Sequence, residues 1–188
     1  MAIKTFTTGE VLTASDTNTY LANSGLVYVG SASASSGSSF SINSAFSATY
    51  DNYLIAISNF NCSLGARIYL RLRVGGSDTT TGYYYSTVSV PYSTTAPSNF
   101  GAANASFFYT DAVGDATQTG SAIINLSNPY LTTETAFMEQ GVDARTSGSS
   151  GIVQGFLNDN TSYTGFTLLL VGQTFSSVNC TVYGYRKA

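Results

Sequence analysis

Histidine is missing from all 188 residues, and only 9% of them are charged. Without histidine there is no Ser-His-Asp or Cys-His nucleophile arrangement, and the commonest transition-metal ligand is gone. A Walker-type glycine loop and a dinucleotide fingerprint are also absent. The net charge is −3 and there is no basic patch; Arg67, Arg71 and Arg73 lie near one another, but the chain total argues against a general nucleic-acid binder. Two cysteines, Cys62 and Cys180, have no close partners in sequence, so no zinc spacing exists. Both lie in strand-like surroundings and read as buried free thiols, with a single disulfide as the alternative. No apolar run approaches membrane-spanning length; the densest, residues 167–171, is strand-sized. Met1-Ala2-Ile3-Lys4 leads into Thr5 and Phe6 without an apolar signal core, so synthesis in a cytoplasm without signal-directed export is expected.

Ser, Thr, Asn and Gly take the place of charge, alongside 14 Tyr and 11 Phe. Aromatic residues suit pleated surfaces, and small polar residues suit turns. Arg67 to Val74 carries the clearest period of two. It turns Ile68, Leu70, Leu72 and Val74 to one side and Arg67, Tyr69, Arg71 and Arg73 to the other. Further strands are expected at residues 53–60, 83–90, 105–109, 121–126, 135–139, 152–157, 166–171 and 180–185. Gly30 to Ser39 reads as a flexible linker, and the residues after Pro91 as a loop. No repeat of fixed period appears. Roughly ten short strands without helical patterns between them predict an all-β fold, a jelly-roll-like β-sandwich with a short N-terminal arm or helix.

The first twenty-nine residues stand apart. Thr13 is placed to cap a short helix with Asp16 in its first turn, and Gly25 marks its stop. A helix of about ten residues is not stable alone in water. The chain therefore divides into residues 1–29, an attachment or oligomerisation segment, and residues 30–188, the β-domain. Phe6, Val11, Leu12, Tyr20 and Leu21 are the residues expected to make the attachment.

Few residues are suited to chemistry. Asp111 and Asp115 read as a solvated loop, and Glu134 and Glu139 flank a strand; no acidic pair stands out as glycosidase machinery. Asn158-Asp159-Asn160 reads as an Asx turn rather than a calcium loop. No catalytic residue, metal ligand or cofactor is expected. The outward arginines read as a solvated or edge-protecting face. Tyr83, Tyr85, Tyr92, Tyr109 and Tyr163 are candidates for stacking on a glycan, with core packing as the competing explanation of each.

The stretch from Lys4 through Thr8-Gly9-Glu10-Val11-Leu12 to Tyr20-Leu21 resembles the N-terminal segment of small tailed-bacteriophage structural proteins. Tyr50-Asp51-Asn52-Tyr53 resembles the strand start of phage jelly-roll modules. Leu70-Arg71-Leu72-Arg73 resembles their alternating strand, and Val182-Tyr183-Gly184-Tyr185-Arg186-Lys187 their closing strand and basic tail. The resemblance implies a virion component, commonly a homotrimer, whose partners are itself, other virion proteins of tail or capsid, and host surface polysaccharide. It brings no catalytic residue. Tail-fibre-like appendage is the leading expectation, capsid decoration, cement or head-fibre protein the alternative, and polysaccharide depolymerase a remote one. Neither nucleic-acid binding nor membrane insertion is expected.

Overall fold

The period-two pattern at Arg67–Val74 becomes strand β4 (Ala66–Val74), with Ile68, Leu70 and Leu72 fully buried, whereas Val74, expected to face the core with them, is exposed at the strand's end. The structure, a computed structural model, describes residues 7–16, 25–94 and 96–187. Twelve more strands follow the same logic: β1 (Leu26–Ala34), β2 (Ser39–Ile42), β3 (Asn52–Cys62), β5 (Ser77–Asp78), β6 (Tyr83–Pro91), β7 (Ser98–Ala105), β8 (Phe108–Gly114), β9 (Gly120–Ser127), β10 (Thr135–Val142), β11 (Ser149–Leu157), β12 (Gly165–Leu169) and β13 (Phe175–Tyr185). They form two sheets. The large one has eight strands in the order β1-β13-β3-β9-β10-β11-β6-β7; the small one has five, β2-β12-β4 followed by β5 and β8 on the far side of β4. Every strand pairing is antiparallel. The protein is an all-β sandwich of unequal sheets.

Between the sheets lie Tyr53, Phe60, Phe108, Phe166, Phe175, Ile55, Ile124 and Leu70, all buried. Burying each such side chain stabilises the fold by about 2 kcal/mol. Phe108 stacks on Phe137 at 4.4 Å and meets Tyr83 edge-on at 4.8 Å, so β8 is pressed against the inner side of the large sheet. Two backbone features shape the strands. Asn59 adopts a left-handed φ of 54° where the β3–β9 register shifts, and the extra residue returns Phe60 to the core. Gly75 and Gly76, at φ 58° and 81°, close the β4–β5 hairpin, a two-residue turn that needs positive φ at both positions.

The structure corrects two expectations. Gly30 to Ala34 is not linker: it continues β1 along β13, paired from Gly30↔Val182 to Ala34↔Val178. Its Ser and Ala residues are small enough for an edge strand, and the turn is confined to residues 35–38. The expected boundary after residue 29 therefore falls inside β1. Ser98 to Ala105, read as loop, is β7, the opposite edge of the large sheet.

Residues 14–16 form one helical turn, α1 (Ala14–Asp16). Its cap is reciprocal: Asp16 N donates to Thr13 Oγ1 at 3.1 Å, while Thr13 N and Oγ1 donate to Asp16 Oδ2 at 3.1 and 2.6 Å. Leu26 pairs with Tyr185, and Arg186 N donates to Gly25 O at 3.4 Å. The chain thus enters and leaves the sandwich at one edge. The other edge, β7, lies seven strand spacings away, or about 34 Å.

Candidate functional site

Of the five tyrosines nominated for glycan contact, two are brought together, two are core and one stands apart. Tyr85 from β6 stacks on Tyr109 from β8, with ring centroids 5.7 Å apart and planes at 21°. Phe100 from β7 meets Tyr109 edge-on at 4.7 Å. Tyr69 from β4 lies 6.1 Å from Tyr109 and 4.1 Å from Phe107, which sits in the β7–β8 turn. The Arg67 guanidinium covers the Tyr109 ring at 4.2 Å, and that of Arg71 lies 6.0 Å from Phe107. Sequence reasoning missed Phe100 and Phe107. Tyr69 was seen only as an outward residue, although its place beside Arg67 and Arg71 on one strand face was legible. Phe100 remains 44% exposed, and Tyr69, Phe107 and Tyr109 are half-buried. The cluster is a mixed aromatic and arginine rim where β8 meets the β6–β7 edge.

Tyr83 and Tyr163 correct the expectation. Both are fully buried. Tyr83 Oη donates to Thr79 O and accepts from Leu72 N, each at 3.0 Å. Tyr163 Oη donates to Asp159 Oδ2 and accepts from Thr79 Oγ1, also at 3.0 Å. Their hydroxyls are used inside the protein, and their rings have no free face for a sugar. Tyr92, half-exposed after β6, makes no ring contact with the cluster among the described residues.

Beneath the rim lies a buried polar group that the sequence did not announce. Asp111, expected in a solvated loop, is 2% exposed inside β8. Arg67 Nη1 donates to Asp111 Oδ1 at 2.6 Å and to Thr110 O at 2.9 Å. Asp111 N donates to Glu139 Oε1 at 3.1 Å, and Glu139 is wholly buried in β10. Room for both carboxyls comes from Gly141 and Gly151, which pair directly across β10 and β11. A Cβ on Gly141 would meet Glu139 Oε1 at 2.2 Å, and one on Gly151 would meet Asp111 Oδ2 at 2.1 Å. Asp111 Oδ2 and Glu139 Oε2 have no hydrogen-bond partner. Burial pushes the Glu139 carboxyl up to about 8. Burial also raises Asp111, with the Arg67 contact opposing it.

This pair is enclosed rather than poised over a cleft. The neighbouring depression of about 320 Å³ is walled by Arg67, Tyr69, Arg145 and Gln173 and has no carboxylate in its lining. Arg145 is itself held by Asp143, through Nε to Oδ1 at 2.8 Å and Nη2 to Oδ2 at 2.6 Å. Asp115 remains in the turn as expected: its Oδ1 accepts from Thr117 N and Gln118 N, both at 2.8 Å, which lowers its carboxyl. Asp159 forms an Asx turn, accepting from Thr161 N at 2.7 Å. Among the described residues no cluster of Cys, Asp and Glu is arranged to hold a metal. Cys62 and Cys180 are free and buried; burial raises both thiols, that of Cys180 to about 12.

Two of the four stretches that carry the phage resemblance, residues 50–53 and 182–187, meet at the corner where the chain enters and leaves; Leu70–Arg73 lies apart, on β4 of the small sheet. Tyr53 pairs with Gly184, and a Cβ on Gly184 would strike the Tyr50 ring at 2.4 Å. Lys187 Nζ reaches Asp51 Oδ1 at 2.6 Å and donates to Ala48 O at 3.1 Å. Nearer the N-terminus, Val11 and Leu12 are exposed, at 78% and 49%. Phe6, Tyr20 and Leu21 lie outside the described residues. No helix among the described residues is long and apolar enough to cross a membrane. Comparison with known proteins finds no matching family model and no matching curated protein.

Proposed function

We propose that this chain is a non-enzymatic structural protein of a tailed-bacteriophage particle. In this reading it is a homotrimeric, tail-fibre-like appendage, held to the particle by its N-terminal residues and presenting a jelly-roll-like sandwich to the host surface. One observation carries the reading. The motif residues Tyr50, Asp51, Tyr53, Gly184 and Lys187 form a single packed corner, beside the point where Gly25 leaves the sandwich. Among the described residues of the N-terminal segment Val11 and Leu12 are exposed, where they can bind elsewhere. The aromatic and arginine rim lies toward the opposite edge, where a surface glycan would have ring faces and guanidinium groups to meet.

The test is deletion of residues 1–25 in the phage genome, with detection of the protein on purified particles. The expected result is a soluble, folded β-domain that is absent from virions. Incorporation at the normal copy number overturns the attachment role. Immunogold labelling of the intact chain then assigns the location: a few copies on tails fit the appendage, whereas dense labelling of heads replaces it with a capsid decoration or cement protein. Cleavage of host polysaccharide by the purified chain overturns the non-enzymatic role.

A further inference from the structure

The outer side of the large sheet is a different kind of surface from any other on this molecule. Glu139 is the one charged residue in its eight strands among the described residues, and it points inward. Side chains turned outward are apolar or neutral-polar throughout. Ile123, Met138, Ile152, Phe156 and Val88 stand between 43% and 55% exposed on four adjacent strands, β9, β10, β11 and β6. Two open depressions of about 600 and 750 Å³ lie side by side on this face. Antiparallel sheets that face water on one side ordinarily alternate to polar and charged residues there.

We infer that this face is the contact surface between copies of this chain. Three properties select a second copy as the occupant. First, a face without charge meets its own copy with no like-charge repulsion, although the chain carries a net −3. Second, its polar groups are amides and hydroxyls, Asn125, Gln140, Gln154 and Ser150 among them. Each amide or hydroxyl both donates and accepts, so these groups match copies of themselves. Third, the size is right. With β3, whose Ala56 lines one depression, the face spans five strands about 4.8 Å apart and about eight residues long, which outline roughly 600 Å² before side-chain relief, close to the roughly 800 Å² per partner of a standard interface. The inference stands on this chemistry alone and does not depend on where the protein resides.

The full chain is measured by sedimentation velocity from low to tens-of-micromolar concentration, beside Met138→Glu and Ile152→Glu. The expected wild-type mass is at least twice the 19.7 kDa of one chain. Each variant falls to the single-chain mass with an unchanged far-ultraviolet dichroism spectrum, because the replaced side chain points away from the core. A monomeric wild type overturns the inference, and so does a multimer that survives both substitutions. A second measurement covers the case of variants that misfold. With Cys62 and Cys180 buried, Gln140→Cys offers a single accessible thiol in the middle of the face. Oxidation links copies through Gln140→Cys, and does so much faster than through Ala116→Cys in an exposed turn; equal rates overturn the inference. Wild-type protein that stays monomeric yet binds neutral phosphatidylcholine vesicles assigns the face to lipid instead and likewise overturns it.

Discussion

The large sheet turns Ile123, Met138, Ile152 and Val88 outward, whereas the small sheet turns out Arg67, Tyr69, Arg71 and Arg73. The two sheets share one core and differ on their outer sides. Each arginine of the small sheet is tied to another strand or turn. Arg67 holds Asp111 of β8, and Arg71 Nε donates to Ser106 O at 2.9 Å. Arg73 reaches Ser41 on β2 and Thr167 on β12, and lies 3.6 Å from Asp78 of β5. The small sheet has short strands, and β4 shares one side between β5 and β8. Its guanidinium groups bridge strands where the backbone ladder is brief. In the large sheet long ladders suffice, from β1–β13 through β10–β11, and its outer side chains are left for something other than holding the fold. Charge on these two sheets therefore sits where the small sheet is tied together, and it is missing from the outer side of the large sheet.

Four substitutions or conditions press on that contrast, the three that act inside the fold before the one on the outer face. Arg67→Met removes the partner of a buried carboxylate and is expected to cost about 3 kcal/mol or more, read by urea denaturation; a cost below about 1 kcal/mol denies the small sheet its polar tie. Gly141→Val drives a side chain into Glu139 and the β8 backbone, with an expected loss of roughly 1–3 kcal/mol. The third is pH. Glu139 is raised to about 8 in the fold from its ordinary 4.5. Between these values the native state holds a proton that the unfolded chain has lost. The stability that this group contributes is therefore full below about pH 4.5 and is lost as pH rises toward about 8, by roughly 1.4 kcal/mol per pH unit. Glu139→Gln flattens the slope in denaturation midpoints taken across that window, and an unaltered slope rules out Glu139 as its source. The smallest effect is on the outer face. Val88→Thr changes the stability of the isolated subunit by no more than about 0.5 kcal/mol, and a larger loss there shows that the face also holds the fold.

What the sequence disclosed follows from periodicity. Ile68, Leu70 and Leu72 were legible because alternating Arg and Leu leave no doubt which side is buried. The Gly75–Gly76 turn and the Asp159 turn were legible because their residue types match the local backbone. Asp111 was not, because a charged residue next to Thr110 and close to Gly114 reads as loop; only the position of Arg67 across the β4–β8 pair explains its burial. Glu139 carried a signal that was passed over. It keeps the same parity as Phe137 and Gly141 and so had to face inward with them. Tyr83 and Tyr163 show the limit of composition: a tyrosine supplied with hydroxyl partners is a core residue, and those partners come from strands distant in sequence. The unequal division of strands between the sheets was not legible, since pairing order rests on contacts far apart in the chain.

The pairing of Leu26 with Tyr185 has a practical consequence. A peptide joined after residue 187 begins close to Gly25, on the side of the domain away from β7. A cargo placed there crowds the point where the chain enters the sandwich. Cargo meant to point away belongs in the turn between β6 and β7, and the same adjacency makes the chain a natural subject for circular permutation, with residue 187 joined to residue 25 and new ends opened at that turn.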